Sequence, residues 1–315
     1  MSLGSVPRSF NRILAILCAL ALLGSLSAVA PADDSIQEAP RSKGVQCLFA
    51  GHSFFCPVAV AFNQIARQSD FPEHDMKLVF RGGMGGTASA LWSSTKSREA
   101  VEAVLATGEV ELFGLTPDLR DNVETFERWF DLALSYNPKT RFFIGVPWSI
   151  RGHAMNTRQF DQLIESYAAK GAEIVTELRL RYPDNRIDYL AYGKVAPAMK
   201  TRFEAGTLSD ITQLVGTDQA ALFSDNRLGH AGPLLLKLCA LTWLDLLYNA
   251  KLDSLDYGTH GSDVSEIVTE VLAFNAPYRT TPEPVAELDQ NPEGTPAPTN
   301  QASEEENPST PPLKQ

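Results

Sequence analysis

The segment 45–69, VQCLFAGHSFFCPVAVAFNQIARQS, decides the fold. It begins with a six-residue apolar run that ends at Gly51, which is typical of a buried strand followed by a tight turn. From residue 57 to residue 69, apolar side chains recur at helical spacing and predict a helix with one buried face. The residues of that face are Val58, Ala61, Phe62 and Ile65. A strand that leads through a short turn into a helix is the repeating unit of an α/β fold.

The same alternation continues along the chain. Further strands are predicted at 76–80, 111–115, 141–146 and 188–192, and further helices at 97–107, 123–136, 160–181, 234–249 and 264–274. This order predicts a three-layer α/β/α sandwich around a mostly parallel, flavodoxin-like five-stranded sheet. In open sheets of this kind ligands bind at the carboxyl ends of the strands, so a site is expected in the loops that follow them.

The amino-terminal segment, residues 1–32, has the pattern of a signal peptide. Arg8 and Arg12 form a basic region, an apolar stretch follows, and Ala30-Pro31-Ala32 fits the small-x-small cleavage pattern. An uncleaved membrane anchor is the alternative, but the apolar stretch is short for a full span. We therefore expect an exported protein, periplasmic or secreted, with no stable membrane span after signal removal.

The carboxy-terminal segment, residues 279–315, is predicted to be a disordered tail. It contains eight Pro and seven acidic residues against two basic ones, without apolar periodicity. Such a segment buries too little apolar surface to offset the entropy lost on ordering. The remaining residues, 33–278, number 246, a suitable length for one domain.

The composition excludes several classes of function. The net charge of −11, from 38 acidic and 27 basic residues, argues against a general nucleic-acid-binding protein, which needs a basic face for phosphates. No cluster of His, Cys and Asp has the spacing of metal ligands, and we expect neither a metal nor a cofactor. His74 and His153 fall in predicted loops, where we expect surface positions.

The four cysteines are too few for a disulfide-scaffold protein of 315 residues. Three of them lie within residues 33–278, in apolar surroundings: Cys47, Cys56 and Cys239. Export permits one disulfide with one thiol left over, whereas the apolar surroundings favour three buried, reduced thiols. The sequence leaves both possibilities open.

The first loop with candidate catalytic residues is Gly51-His52-Ser53-Phe54, directly after the first strand. A serine there presents its hydroxyl at the top of the sheet, and the unpaired N–H groups at the helix start can stabilise an oxyanion. The alternative is that Ser53 only caps the helix. His52 either lines the site or has a structural role.

Two further loops carry candidate residues. The loop 81–89, RGGMGGTAS, allows a close approach of the backbone to a ligand, but its spacing matches no phosphate or dinucleotide fingerprint. The loop 224–230, SDNRLGH, contains Asp225 and His230. An Asp near a His can fix the imidazole tautomer and hold its charge, although a surface histidine would show the same pattern.

Together the three loops resemble the SGNH/GDSL hydrolase family. In that family the nucleophilic Ser lies in a Gly-Asp-Ser-Leu block after the first strand, and a late loop contains the Asp and the His. A Gly after the second strand and an Asn after the third complete the oxyanion hole. The resemblance implies Ser53 as nucleophile, His230 as general base and Asp225 as its orienting partner. It implies an oxyanion hole formed by the N–H groups of Ser53 and of Gly86 or Gly85.

The resemblance covers about residues 45 to 250 and includes three departures from the family pattern. The first block has a histidine where the family has an aspartate. The loop after the third strand, LTPD, lacks the family's Gly-x-Asn-Asp, so either another donor such as Asn122 replaces the Asn or the hole is incomplete. Asp225 and His230 are five positions apart instead of three, with Asp218 as the alternative partner.

The function that the resemblance implies is an exported serine esterase, acting by Ser-His-Asp acyl transfer on a small-molecule or carbohydrate ester. Export and family habit suggest a carbohydrate O-deacetylase, for which His52 and Trp148 are candidate substrate contacts. One alternative is a non-catalytic binding protein with a degenerate site, which a long separation between Ser53 and His230 would favour. Another is an exported scaffold whose acidic tail recruits a partner.

Overall fold

A computed structural model describes residues 44–69, 71, 73–250 and 261–279. The expected signal peptide lies outside these residues, as does the expected tail except for Arg279, which ends the last helix. Within the described ranges, no helix is long and apolar enough to cross a membrane.

The core is a five-stranded sheet in which all neighbouring strands are parallel. Its strands are β1 (Gln46–Gly51), β2 (Asp75–Phe80), β3 (Leu112–Leu115), β4 (Arg141–Gly145) and β5 (Ile187–Leu190). Their order is β2-β1-β3-β4-β5, the flavodoxin-like arrangement. The chain reverses its direction of winding between β1 and β3, where ligands bind in such sheets.

Helices cover both faces of this sheet. They are α1 (Cys56–Gln68), α2 (Ala88–Ser93), α3 (Thr95–Leu105), α4 (Val123–Tyr136), α5 (Thr157–Arg181), α6 (Val195–Glu204), α7 (Pro233–Tyr248) and α8 (Gly261–Arg279). The apolar cluster on one face contains residues of α1, α6, α7 and α8, and the cluster on the other contains residues of α2, α3 and α4. α5 contributes to both clusters. The expected three-layer α/β/α fold is confirmed.

The first strand shows why its sequence is a continuous apolar run. Phe49 faces α1 and α7, with its ring 5.4 Å from that of Trp243 and 6.0 Å from that of Phe62. Leu48 and Ala50 point to the opposite face and join the second apolar cluster. Because both faces of a parallel sheet are covered, the strand has no polar alternation.

Three features were not predicted from the sequence: α2, α6 and a small parallel sheet of β6 (Gln213–Val215) and β7 (Ala221–Phe223). α2 has six residues and is capped by Thr87, whose Oγ1 accepts a hydrogen bond from the N–H of Ala90. α6 contains Pro197, but in its first turn, where a missing N–H is tolerated. Strands of three residues are too short to show a period of two.

The three core cysteines are free and buried, which selects the reduced alternative. Burial raises the pKa of the Cys56 thiol to about 12. It also raises the pKa values of Cys47 and Cys239 above the ordinary range. These thiols therefore act as small apolar side chains rather than as nucleophiles.

The expectation that His74 and His153 lie at the surface is wrong. His74 is 2% exposed and its Nδ1 lies 2.5 Å from the hydroxyl of Tyr248, a residue 174 positions away. His153 is 6% exposed and its Nε2 lies 3.2 Å from the carbonyl oxygen of Asn226. Both rings have polar partners far along the chain, which local sequence does not reveal.

Candidate active site

The turn between β1 and α1 holds Ser53 in place. The N–H groups of Phe55 and Cys56 donate to the carbonyl oxygen of His52, and the N–H of Phe54 donates to His52 Nδ1. The N–H of Ser53 makes no hydrogen bond with any residue that the structure describes. α1 begins after Phe55 without a side-chain cap, so the Ser53 hydroxyl is not used to cap the helix.

The Ser53 hydroxyl instead belongs to a hydrogen-bonded series of three side chains. Its Oγ lies 2.8 Å from Nε2 of His230, and Nδ1 of His230 lies 2.5 Å from Oδ2 of Asp225. The serine comes from the loop after β1, whereas the histidine and the aspartate come from the loop between β7 and α7. The fold thus brings residues 177 positions apart into hydrogen-bonding distance.

The loop 224–230 wraps around the Asp225 carboxylate. Oδ1 accepts hydrogen bonds from the N–H groups of Arg227 and Leu228, and Oδ2 accepts one from the N–H of His230. Gly229, with φ of +78°, provides the left-handed residue that turns the chain back toward the carboxylate. The five-position spacing between Asp225 and His230 is therefore accommodated by a turn whose backbone N–H groups bond to the Asp225 carboxylate.

Electrostatics keep this carboxylate ionised. Burial alone would raise the pKa of Asp225, but the hydrogen bonds from Leu228 and His230 outweigh it and hold the pKa below the ordinary range. The alternative residue, Asp218, is engaged elsewhere, by Nε2 of Gln213 and the N–H of Ala220. Asp225 is thus the carboxylate that contacts the histidine.

Two aromatic residues support the His230 ring. Phe54 packs on it with ring centroids 4.8 Å apart, and Trp148 packs against Phe54 at 5.1 Å. The buried indole N–H of Trp148 donates to the carbonyl oxygen of Gly229 at 2.9 Å. Trp148 therefore contacts both the packing partner of His230 and the backbone next to it.

The segment that follows β4 makes two more contacts with the loop 224–230. The N–H of Arg151 donates to the carbonyl oxygen of Leu228 at 2.7 Å, and the His153 ring contacts the carbonyl of Asn226. A β-carbon on Gly229 would lie 2.4 Å from Nδ1 of His153, so the two loops are in close contact. This role of His153 was not predicted, because no local pattern in the sequence indicates it.

The Gly-rich loop approaches the end of β1 at one residue. Gly86 is buried, and a β-carbon there would lie 2.5 Å from the carbonyl oxygen of Arg81 and 2.7 Å from that of Gly51. Gly85 is exposed, and a β-carbon there would meet nothing closer than 4.0 Å. Of the two glycines singled out in the sequence, only Gly86 lies against the strand that leads to Ser53.

The loop after β3 lines the cavity beside Ser53 but places no asparagine side chain at the site. Asn122 accepts hydrogen bonds from the N–H and the hydroxyl of Thr125 and thereby caps α4. Thr116 is fully buried, and its Oγ1 has no hydrogen-bond partner in the described part of the chain. Pro117 and Asp118 line the cavity beside Ser53.

His52 is half-buried beside Ser53. Burial lowers the pKa of His52 to about 4, although the negative charge of Asp118 acts in the opposite direction. The ring is therefore neutral at pH 7. Because its Nδ1 accepts the N–H of Phe54, the ring proton resides on Nε2.

A cavity of about 360 Å³ lies beside the serine. Ser53, His52 and Trp148 form part of its wall, together with residues of the loops after β3 and β4 and of α5. A cavity of this size at the carboxyl ends of parallel strands has the dimensions and position of a small-molecule site. In the described ranges, no group of three or more His, Cys, Asp and Glu side chains could hold a metal ion.

No family model and no curated protein matches the chain, whereas several solved structures resemble it at low similarity, including the following two. One is a putative GDSL-like lipase from Parabacteroides merdae, at 14% identity and a TM-score of 0.37, covering 66% of this chain and 98% of that one. The other is a lipopolysaccharide acetyltransferase periplasmic domain from Salmonella ser. Paratyphi A, at 9% identity and a TM-score of 0.35, covering 50% and 69%. Similarities at this level do not bear on activity, so the function has to be inferred from the site geometry.

Proposed function

We propose that this chain is a serine ester hydrolase of the SGNH/GDSL type. The observation that carries the proposal is the hydrogen-bonded series from Ser53 Oγ through the His230 ring to the Asp225 carboxylate. Such a series is what an activated serine requires, because a hydroxyl at its free pKa is a weak nucleophile.

In the first half of the reaction, Ser53 Oγ attacks the ester carbonyl carbon while its proton passes to Nε2 of His230. The tetrahedral intermediate collapses, the bond to the alcohol oxygen breaks, and His230 gives the proton to that oxygen. In the second half, water attacks the acyl carbon and passes a proton to His230; the bond between that carbon and Ser53 Oγ then breaks, and His230 returns the proton to Oγ. The products are a carboxylic acid and an alcohol.

Asp225 fixes the tautomer of His230 in this scheme. An ionised carboxylate at Nδ1 holds the ring proton there and leaves Nε2 free to accept the serine proton. The depressed pKa of Asp225 supports this role, because the carboxylate stays charged throughout the pH range in which a histidine acts as a base. It also stabilises the imidazolium that forms during the reaction.

The free N–H of Ser53 and the N–H of Gly86 are the proposed oxyanion donors. The close packing of Gly86 against the end of β1 supports this assignment for the Gly-rich loop. Loss of one such donor lowers kcat by about 10²–10³ in characterised enzymes, so a hole without the third-loop asparagine retains measurable catalysis. His52 and Trp148, in the cavity wall, are the proposed substrate contacts.

The proposal includes export and domain organisation: a signal peptide at 1–32, an SGNH-like domain at 33–278 and an acidic Pro-rich tail at 279–315. The substrate is a small-molecule ester; carbohydrate O-deacetylation, which export and family habit suggest, stays a prediction from the sequence. The 2.8 Å separation between Ser53 and His230 supports catalysis over a non-catalytic binding function.

Hydrolysis of p-nitrophenyl butyrate by the purified full chain tests this proposal. We expect turnover by the parent and its loss in Ser53→Ala. Ser69→Ala is the matched control, because the Ser69 hydroxyl bonds only to the carbonyl of Ile65 at the end of α1. Either absence of turnover in a folded parent or full activity of Ser53→Ala would overturn the proposal.

A further inference from the structure

The walls of the cavity beside Ser53 are mainly apolar. Val146 and Trp148 from the loop after β4 line it together with Ile174 of α5 and Leu228. The two charged residues of the lining already have partners: Asp118 accepts from Nε of Arg120 at 2.7 Å, and Lys170 lies 3.3 Å from Glu173. The lining is therefore mainly apolar, with His52 and Tyr167 among its polar side chains besides the two charged ones, and it suits an apolar group.

Exposed apolar side chains continue this surface to the outside. Met84, Leu119 and Ile150 line the cavity and are 53%, 53% and 55% exposed. The described part of the chain has seven such exposed large apolar residues, and these three share one opening. Exposed apolar residues on a monomer are normally scattered singly, whereas a cluster around an opening marks a binding surface.

The volume exceeds what an acetyl group needs. A cavity of about 150 Å³ already holds benzene with its six carbons, and this cavity has about 360 Å³. An acetyl group contributes two carbons and would leave most of this apolar surface unfilled. An aliphatic chain of medium length would fill it.

The position of His230 decides which side of the ester enters the cavity. The leaving alcohol oxygen has to lie next to Nε2 of His230, because that nitrogen supplies its proton. Ser53 lines the cavity, whereas next to His230 the cavity wall is formed by Phe54, whose ring packs on the imidazole at 4.8 Å. The alcohol therefore lies on the histidine side of Ser53, and the acyl group extends into the cavity.

Resting on the proposed esterase function, we infer that the cavity is an acyl-binding site and that the substrates are esters of aliphatic acids clearly longer than acetate. The apolar walls bind the chain, and Met84, Leu119 and Ile150 cover its outer part. The small or polar alcohol of the ester lies outside the cavity.

A pair of isomeric esters tests the orientation with the full chain. Methyl octanoate and heptyl acetate contain the same atoms, but the long chain is on the acyl side in one and on the alcohol side in the other. With acid release followed by pH-stat, we expect kcat/KM for methyl octanoate to exceed that for heptyl acetate at least tenfold. A preference for heptyl acetate would overturn the assignment of the cavity to the acyl group.

A chain-length series tests the size. Across p-nitrophenyl acetate, butyrate, hexanoate and octanoate, we expect kcat/KM to rise by up to about fourfold for each methylene that enters the cavity. In Leu119→Ser/Ile150→Ser, we expect the octanoate-to-acetate ratio of kcat/KM to fall about tenfold. The matched control is Leu180→Ser, since Leu180 is 62% exposed on α5 and does not line the cavity; its ratio stays at the parent value.

The outcomes separate this inference from the proposed function. Efficient hydrolysis of acetate with no gain for longer acyl chains would contradict the acyl-binding site while leaving the esterase proposal intact. An equal fall of the ratio in Leu180→Ser would likewise contradict it. If no ester of either series is hydrolysed by the folded chain, the esterase proposal is wrong and the inference falls with it.

Discussion

Nε1 of Trp148 donates a hydrogen bond of 2.9 Å to the carbonyl oxygen of Gly229, the residue directly before His230. The same indole packs on Phe54, which in turn packs on the His230 ring. The segment after β4 therefore fixes the position of the proposed general base, although it contributes no atom to the Ser53–His230–Asp225 series.

The first prediction concerns this hydrogen bond. Trp148→Phe keeps an aromatic wall and removes the indole N–H, which leaves the Gly229 carbonyl unpaired and the histidine less firmly held. We expect kcat for p-nitrophenyl butyrate to fall about tenfold, with a smaller change in KM, because the lost bond orients a reacting group. Trp92→Phe, on the far side of the sheet, is the control, and an unchanged kcat in Trp148→Phe would contradict the positioning role.

The second prediction separates the two candidate aspartates. Asp225→Asn replaces the acceptor at Nδ1 of His230 with an amide and favours the wrong tautomer, so we expect kcat to fall by about 10³–10⁴. Asp218→Asn changes only contacts with Gln213 and Ala220 and leaves kcat at the parent level. Steady-state kinetics on both variants decide the assignment, and the reverse pattern would show that Asp225 is not the partner.

The third prediction concerns the Gly-rich loop. A β-carbon at Gly86 would meet the carbonyl oxygens of Arg81 and Gly51 at 2.5 and 2.7 Å, so Gly86→Ala has to displace the loop from β1. We expect a loss of kcat of about 10²-fold or more, the size associated with one oxyanion donor, and a lower Tm. Gly82→Ala, whose β-carbon meets nothing within 4 Å, keeps both values. Parent-like kinetics in Gly86→Ala would exclude this glycine from the site.

The fourth prediction links buried His74 to acid stability. Burial, helped by the charge of Arg67 and opposed by that of Asp75, lowers the pKa of His74 from 6.5 to about 4. Between these values the unfolded chain binds a proton that the folded chain does not, so stability decreases as the pH falls from 6.5 towards 4. We expect the free energy of unfolding, measured with urea from pH 7 to 4.5, to depend less on pH in His74→Gln than in the parent. The slope against pH should be lower by up to about 1.4 kcal/mol per pH unit. Parallel profiles would contradict the lowered pKa.

Local patterns were enough to predict the sheet and the position of the serine. The apolar run before Gly51 and the helical spacing after Pro57 are signals within a few residues, and both elements are found close to their predicted bounds. The same holds for α4, whose predicted and observed bounds coincide at Val123–Tyr136. Where apolar residues recur at a fixed period, the sequence itself shows which face of the element is buried.

The contacts that hold Asp225 and His230 in position could not be predicted from local patterns. Trp148 was predicted only as a candidate substrate contact, and nothing in the sequence indicated that its indole N–H bonds to a carbonyl 81 positions away. The two extra residues between Asp225 and His230 looked like a defect, yet their backbone N–H groups close the turn on the carboxylate. Such contacts depend on how distant loops meet, which no local spacing encodes.

Covalent labelling of the full chain with a fluorophosphonate probe, read by intact mass and peptide mapping, tests the central claim most directly. A serine that shares its proton with His230 reacts with the probe, whereas an ordinary hydroxyl does not. We predict one adduct on the peptide that contains Ser53, absent from Ser53→Ala and present in the Ser69→Ala control. A folded parent that takes up no probe, or an adduct on any other serine, would contradict the assignment of Ser53 as the nucleophile.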